Sequence, residues 1–205
     1  MLDFGNRGAI KIGELTGEIT PRVCQVVEIL KDFEPESAAV TNIAAYKWGK
    51  LAYGCLLFAT ALANETMTES LSDPAHQDFF IALAREVLLV AQRENITPLG
   101  FDGFEPEVFI TATHKPAAIL SLMRMAEHYR FSTKQRSGVW RDLAVRKRKT
   151  EVDTQIAGIV HIAHRHRQPA PFTQAVIQMI QEVEQGIRKI DRKNLSELSE
   201  GMTRQ

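Results

Sequence analysis

The stretch from Ile43 to Ala63 constrains this chain more than any other. It is too uniformly apolar to lie on a surface, and it carries helix formers on every face. A helix apolar all round must be enclosed by other elements, so the chain must build a core around it. The longest unbroken apolar run inside it, Cys55 to Ala63, is too short to span a bilayer. Within 205 residues there is room for one sizeable core or two small ones.

The segments that follow read as helices that enclose the first. Asp73 and Pro74 are expected to open a helix carrying Phe79, Ile81, Leu83, Val87, Leu88 and Val90 to a stop at Asn95–Pro98. TPLGFDGFEP, residues 97–106, is a loop. A further helix is expected over about Pro116–Tyr129, followed by a polar break, STKQRSG. Another is traced by Val152, Ile156, Ile159, Val160 and Ala163, and the last by Val176, Ile180, Val183, Ile187 and Ile190. Residues 196–205 look frayed.

The start differs in kind. AIKIGEL, residues 9–15, alternates like one strand between Gly8 and Gly17. Thr20 and Pro21 make an N-cap and first-turn pair for a helix to about Phe33, and residues 38–41 form a second extended piece. Strand, helix and strand in this order predict a short α/β remnant in front of a mostly α domain. The expected division is 1–42 for that α/β piece and linker, 43–195 for the helical domain, and 196–205 for a tail.

Composition excludes several roles. With 25 basic and 25 acidic residues there is no net field to hold nucleic acid or a membrane surface. Cys24 and Cys55 both sit in apolar helical patterns and are expected as small buried hydrophobes, which suits a reducing compartment. The first residues show no basic region leading into an apolar one, so the expected location is cytoplasmic.

Two segments place charge where the pattern predicts burial. In YKWGKLAYG, residues 46–54, Lys50 lies on a helix with apolar later turns, so its amine is expected to be partly desolvated and able to donate a proton. From the residues alone a snorkelling lysine is the commoner reading. In the second segment, Ser137 to Asp142 continues to Thr150, Glu151, Val152 and Asp153. Glu151 there enters a helix, where the dipole favours its charge. A lysine and a glutamate meeting in one cleft would form a proton donor and its orienting partner. Ser137 reads equally as a loop hydroxyl or cap.

His161, His164 and His166 with Arg165 and Arg167 are read as cationic groups at a helix C-terminus rather than a metal site. Arg146–Lys149 reads as a solvated turn, Trp48 and Trp140 as core aromatics, and Met123, Met125 and Met179 as core fillers.

Together, Trp48, Lys50 and Leu51, then Ser137 and Asp142, then Thr150–Asp153, resemble the motifs of the ketopantoate reductase (2-dehydropantoate 2-reductase) family. Ile12–Arg22 resembles the end of that family's first domain. The resemblance implies a helical bundle of the 6-phosphogluconate dehydrogenase C-terminal-domain type. It implies an NADPH-dependent reduction of a 2-keto acid in pantothenate biosynthesis, with Lys50 protonating the nascent alkoxide. Glu151 would hold the lysine, the substrate and the cofactor side of the site, while Ser137, Gly54 and Asp153 would contact substrate. Two departures stand out. Gly54 and Phe58 occupy positions where the family usually has asparagine, and Asp142–Glu151 is one residue longer than its commonest spacing. No G-x-G-x-x-G follows a strand, so the chain alone is expected to bind NADPH weakly and to be inactive without a nucleotide-binding domain. The competing expectation is a non-catalytic, dimerising helical protein, because an uncovered apolar face favours self-association into a homodimer.

Overall fold

The computed structural model describes residues 8–111 and 115–201. The order is β1 (Lys11–Ile12), α1 (Pro21–Lys31), β2 (Ala38–Ala39), then α2 (Ile43–Thr60), α3 (Met67–Ser72), α4 (Gln77–Arg93), α5 (Pro106–Ile110) and α6 (Lys115–Arg130). After α6 come α7 (Gly138–Trp140), a π-helical segment (Arg141–Arg146), α8 (Val152–Gln155), α9 (Ala157–Arg165), α10 (Pro171–Glu184) and α11 (Lys193–Glu200). The mostly α fold with a short βαβ unit in front is as the sequence predicted.

β1 and β2 pair in parallel, Lys11 with Ala38 and Ile12 with Ala39. The strand expected over 9–15 is thus much shorter. Gly13 lies so close to Val40 that a Cβ would come within 2.4 Å of its carbonyl oxygen. The chain then turns through Gly17, which has φ +85. Its partner strand comes from the same chain. Thr20 caps α1 as expected, accepting from Val23 N at 3.3 Å.

α2 is the centre of the helical body, with Ala45, Ala52, Cys55, Leu56 and Ala59 fully buried against α3, α4, α7 and α10. α4 runs behind it and buries Phe79, Phe80, Leu83, Val87 and Leu88. One polar tie fixes the pair to α10. The buried Glu86 carboxylate accepts Phe172 N at 2.9 Å, and Thr173 N and Oγ1 both at 2.8 Å. It thereby satisfies backbone donors that the first turn of α10 would otherwise leave open. Burial pushes the Glu86 carboxyl up, against the pull of these hydrogen bonds.

Several boundaries differ from the expectation. Asp73 and Pro74 do not open α4; Asp73 ends α3 and its carboxylate accepts Ala75 N at 3.0 Å. α3 itself was hidden by its shortness, although Thr66 and Glu69 form a complete capping box. The expected helix over 152–163 breaks at Ile156 into α8 and α9. α10 stops at Glu184 because Gly186 adopts φ +73, which leaves Ile187 72% exposed. The tail expected to fray from 196 is instead helical to Glu200, because Leu195 and Leu198 stand three residues apart on one face and are buried. Residues 202–205 lie outside the described part. Cys24 is exposed, not buried, since it falls on the outer side of α1, and Met123 is likewise exposed on α6. Cys55, Met125 and Met179 are buried as expected.

Candidate functional site

Lys50 projects from the first half of α2 and is exposed, so the expected desolvation of its amine is corrected. The apolar residues of the later turns point to other sides of the helix, and Lys50 falls between them. Among the described residues its amine has no hydrogen-bond or ion-pair partner. One turn on, at the i+4 position of the same face, stands Gly54. A Cβ placed there would meet nothing within 4 Å beyond its own helix backbone. Lys50 therefore overlooks open space.

The neighbouring stripe of α2 is walled by the loop between α4 and α5. Gly49 lets that loop approach closely, since a Cβ there would fall 1.8 Å from the Leu99 carbonyl oxygen, and Leu99 N donates to Ala45 O at 3.1 Å. Phe101 then packs on Tyr53 at 4.7 Å between ring centroids, with Phe104 edge-on at 5.9 Å. The hydroxyls of Tyr53 and Tyr129 are hydrogen-bonded to each other. Burial pushes both phenols up, so each stays protonated across the working range. None of Tyr53, Phe101 and Tyr129 stood out in the sequence. The one signal for them in the sequence is Gly49, a helical glycine that admits a close backbone approach.

α7 also packs on α2. Ser137 is its N-cap, accepting from Trp140 N at 3.2 Å, so of the two sequence readings the cap is the one observed. Two donors on the same short segment are buried without a partner: Trp140 Nε1 and Arg141 Nε. The Arg141 guanidinium folds back to within 4.0 Å of a Cβ position on Gly138. Arg136 covers the Trp140 ring, 4.7 Å from its centroid. Trp140 is thus a partly buried aromatic under an arginine. Asp142 anchors the basic turn by accepting Arg146 at 2.8 Å and Arg148 at 3.0 Å. These arginines, Arg148 foremost, hold the Asp142 carboxyl below its usual range.

Glu151 is exposed at the N-cap of α8, but its carboxylate does not cap; it accepts from the side-chain amide of Gln155. Thr150 caps instead, its hydroxyl accepting Val152 N at 3.2 Å while donating to Glu184 at 2.7 Å. The Glu184 contact that holds Thr150 was not disclosed by the sequence. Asp153 is exposed and accepts from Gln181 at 2.8 Å. No hydrogen bond or ion pair among the described residues joins Lys50 to Glu151. The structure thus packs α7, with Ser137 as its cap and the unpartnered Trp140 and Arg141 donors, on α2, and sets Glu151 and Asp153 on α8, which packs against α9 and α10. His166 pairs with Glu94 and His164 meets Gln174 at 3.1 Å. Among the described residues no group of three or more His, Cys, Asp or Glu side chains is arranged to hold a metal ion, and no helix is long and apolar enough to cross a membrane.

Comparison of the fold with solved structures shows what class of domain this is. It is similar to a ketopantoate reductase of the PanE/ApbA family from Ralstonia eutropha JMP134, with TM-score 0.67 and 17% identity over 89% of this chain and 53% of that one. It is also similar to D-mandelate dehydrogenase in complex with NADH and anilino(oxo)acetate, with TM-score 0.69 and 13% identity over 89% of this chain and 68% of that one. A second D-mandelate dehydrogenase structure, with NADH, gives TM-score 0.70, 13% identity, and coverage of 89% and 56%. The chain therefore spans little more than half of the ketopantoate reductase it matches. No curated protein matches the sequence. The profile of the ketopantoate reductase PanE/ApbA C-terminal family matches residues 42–184, and the chain belongs to that family.

Proposed function

We propose that the helical body is the substrate-binding part of a nicotinamide-dependent 2-keto acid reductase, with Lys50 as its general acid. The observation that carries this reading is a lysine without an internal partner standing over open space at Gly54. Lys50 donates a proton from Nζ to the oxygen of the carbonyl as that oxygen becomes an alkoxide, and is left as a neutral amine. Trp140 Nε1 and Arg141 Nε, two unpartnered donors close to Ser137 in the chain, would take the carboxylate of the acid. Glu151 would orient Lys50, and Asp153 would line the outer rim. The space above Gly54 suits a keto acid with an aromatic substituent. Anilino(oxo)acetate, bound to D-mandelate dehydrogenase, carries a phenyl ring beside its 2-oxo acid group.

The cofactor fits less well. A pyrophosphate needs open backbone N–H groups at a helix N-terminus. At α1 that place is taken by Thr20, whose hydroxyl donates to Glu14 at 2.8 Å, and by the Glu14–Arg22 pair at 2.6 Å. The Glu14 carboxylate would repel a phosphate there. The described βαβ unit thus does not supply an NADPH cradle, and these residues act on the keto acid alone.

Calorimetric titration with phenylglyoxylate tests the reading. Saturable binding is expected, weakened about tenfold, or roughly 1.4 kcal/mol, by Lys50→Ala. Absence of binding, or equal binding by the variant, would refute it. A second reading, a non-catalytic protein that dimerises, draws on the exposed Leu15, Ile19 and Ile29 of the βαβ unit. A monomer in sedimentation analysis would count against it.

A further inference from the structure

Away from the α2 site, a cavity of about 120 Å³ lies between α3, the start of α4 and α11. Glu65, Glu69, Ser70, Asp73, His76, Arg192 and Leu195 line it. Three side-chain atoms in this wall are buried without a hydrogen-bond partner: Glu65 Oε2, Ser70 Oγ and His76 Nε2. Buried polar atoms are nearly always satisfied, so three around one cavity point to something that belongs in it.

Their chemistry says what. His76 Nδ1 lies 2.9 Å from Ser199 Oγ, and the Ser199 hydroxyl donates to Leu195 O at 2.8 Å. Ser199 Oγ is therefore the acceptor from Nδ1–H, which leaves His76 Nε2 a bare lone pair. Asp73 Oδ2 is 3.8 Å from it, too far for a hydrogen bond, and is already paired with Arg192. The His76 side chain is only 4% exposed, and its burial holds the imidazole below its usual range, against the attraction of Asp73 and Glu65 and with the help of Arg192. Glu69 is committed to its capping box. The cavity thus offers an imidazole nitrogen, a hydroxyl oxygen and a carboxylate oxygen, all able to accept. Three carboxylates around it face one guanidinium.

We propose that this cavity binds a small primary ammonium cation, whose three N–H groups match the three unpartnered acceptors and whose short carbon stem rests on Leu195. Among the described residues no three His, Cys, Asp or Glu side chains are arranged to hold a metal ion, which sets an N–H donor above a metal ion as the occupant. A cavity of about 120 Å³ has room for a head group and a short stem.

The test is a titration of the full chain with methylammonium chloride at low ionic strength, read from the imidazole ¹⁵N resonances of His76. Tetramethylammonium and sodium chloride serve as controls. The proposal expects a saturable Nε2 shift with methylammonium and none with tetramethylammonium, which has no N–H. Glu65→Gln should weaken binding about tenfold while its amide spectrum stays folded. Ser70→Ala provides the same comparison should Glu65→Gln not fold. Equal responses to all three salts, or no saturation, would show that the cavity holds only water and would overturn the proposal.

Discussion

The βαβ unit and the helical body obey the same amphipathic rules and end in opposite states. In α2 and α4 the apolar residues are met on every side, and Leu56, Phe79, Phe80, Leu83 and Leu88 are fully buried. In α1 only Val23 and Val27 are buried, while Ile29 is 71% exposed and Leu15, just before the helix, 88%. A pattern of apolar residues thus marks a surface that wants covering; whether it is covered depends on what else is packed there. The helical body encloses its central helices and leaves apolar side chains such as Phe131 and Ile187 exposed only at its periphery. The unit before it offers apolar area and a two-residue strand pair, and it has little core of its own.

This contrast makes ranked predictions. Phe79→Ala should cost about 4 kcal/mol in chemical denaturation, because the ring is fully buried and packs on Phe80 and Phe172. A loss below about 1 kcal/mol would mean that the body is far looser than its packing implies. Glu86→Ala should cost about 3 kcal/mol, since two backbone N–H groups and one hydroxyl of α10 lose their acceptor. Amide exchange at Phe172 and Thr173 should rise with it.

A smaller effect is expected from His76. Its folded value lies below the usual 6.5, so the unfolded chain takes up a proton first as the solution is acidified. The stability it contributes is complete above pH 6.5 and is lost as pH falls through the lowered folded value. His76→Gln should flatten that part of the stability profile, and an unchanged profile would remove His76 as its source. Smallest of all, Ile29→Ser should change stability by no more than about 0.5 kcal/mol, since the side chain already faces water. A large loss there would erase the contrast between the two regions.

Much of this was legible in the chain. The enclosed α2, the Thr20–Pro21 start of α1 and the strand–helix–strand order all follow from local patterns that the packing did not override. The errors have physical causes. Ile187 and Ile190 continued the helical period of α10 past its end, and only the left-handed turn at Gly186 stopped it. Ser196–Glu200 looked too polar for order, yet two leucines three apart sufficed to dock α11. At the candidate site, Lys50 and Ser137 were singled out through a motif, and Gly54 as a departure from it. The aromatic wall of Tyr53, Phe101 and Tyr129 was not, because it is assembled by a close backbone approach at Gly49 between segments some fifty residues apart. The burial expected for Lys50 failed because average hydropathy along a helix does not say which face a given residue occupies.

The most direct test of the division of labour is a calorimetric titration of the full chain with NADPH. With Glu14 and Thr20 filling the N-terminus of α1, the account predicts no saturable binding. Saturable heat that disappears on substitution within residues 13–22 would contradict it and would place a nucleotide cradle in the βαβ unit.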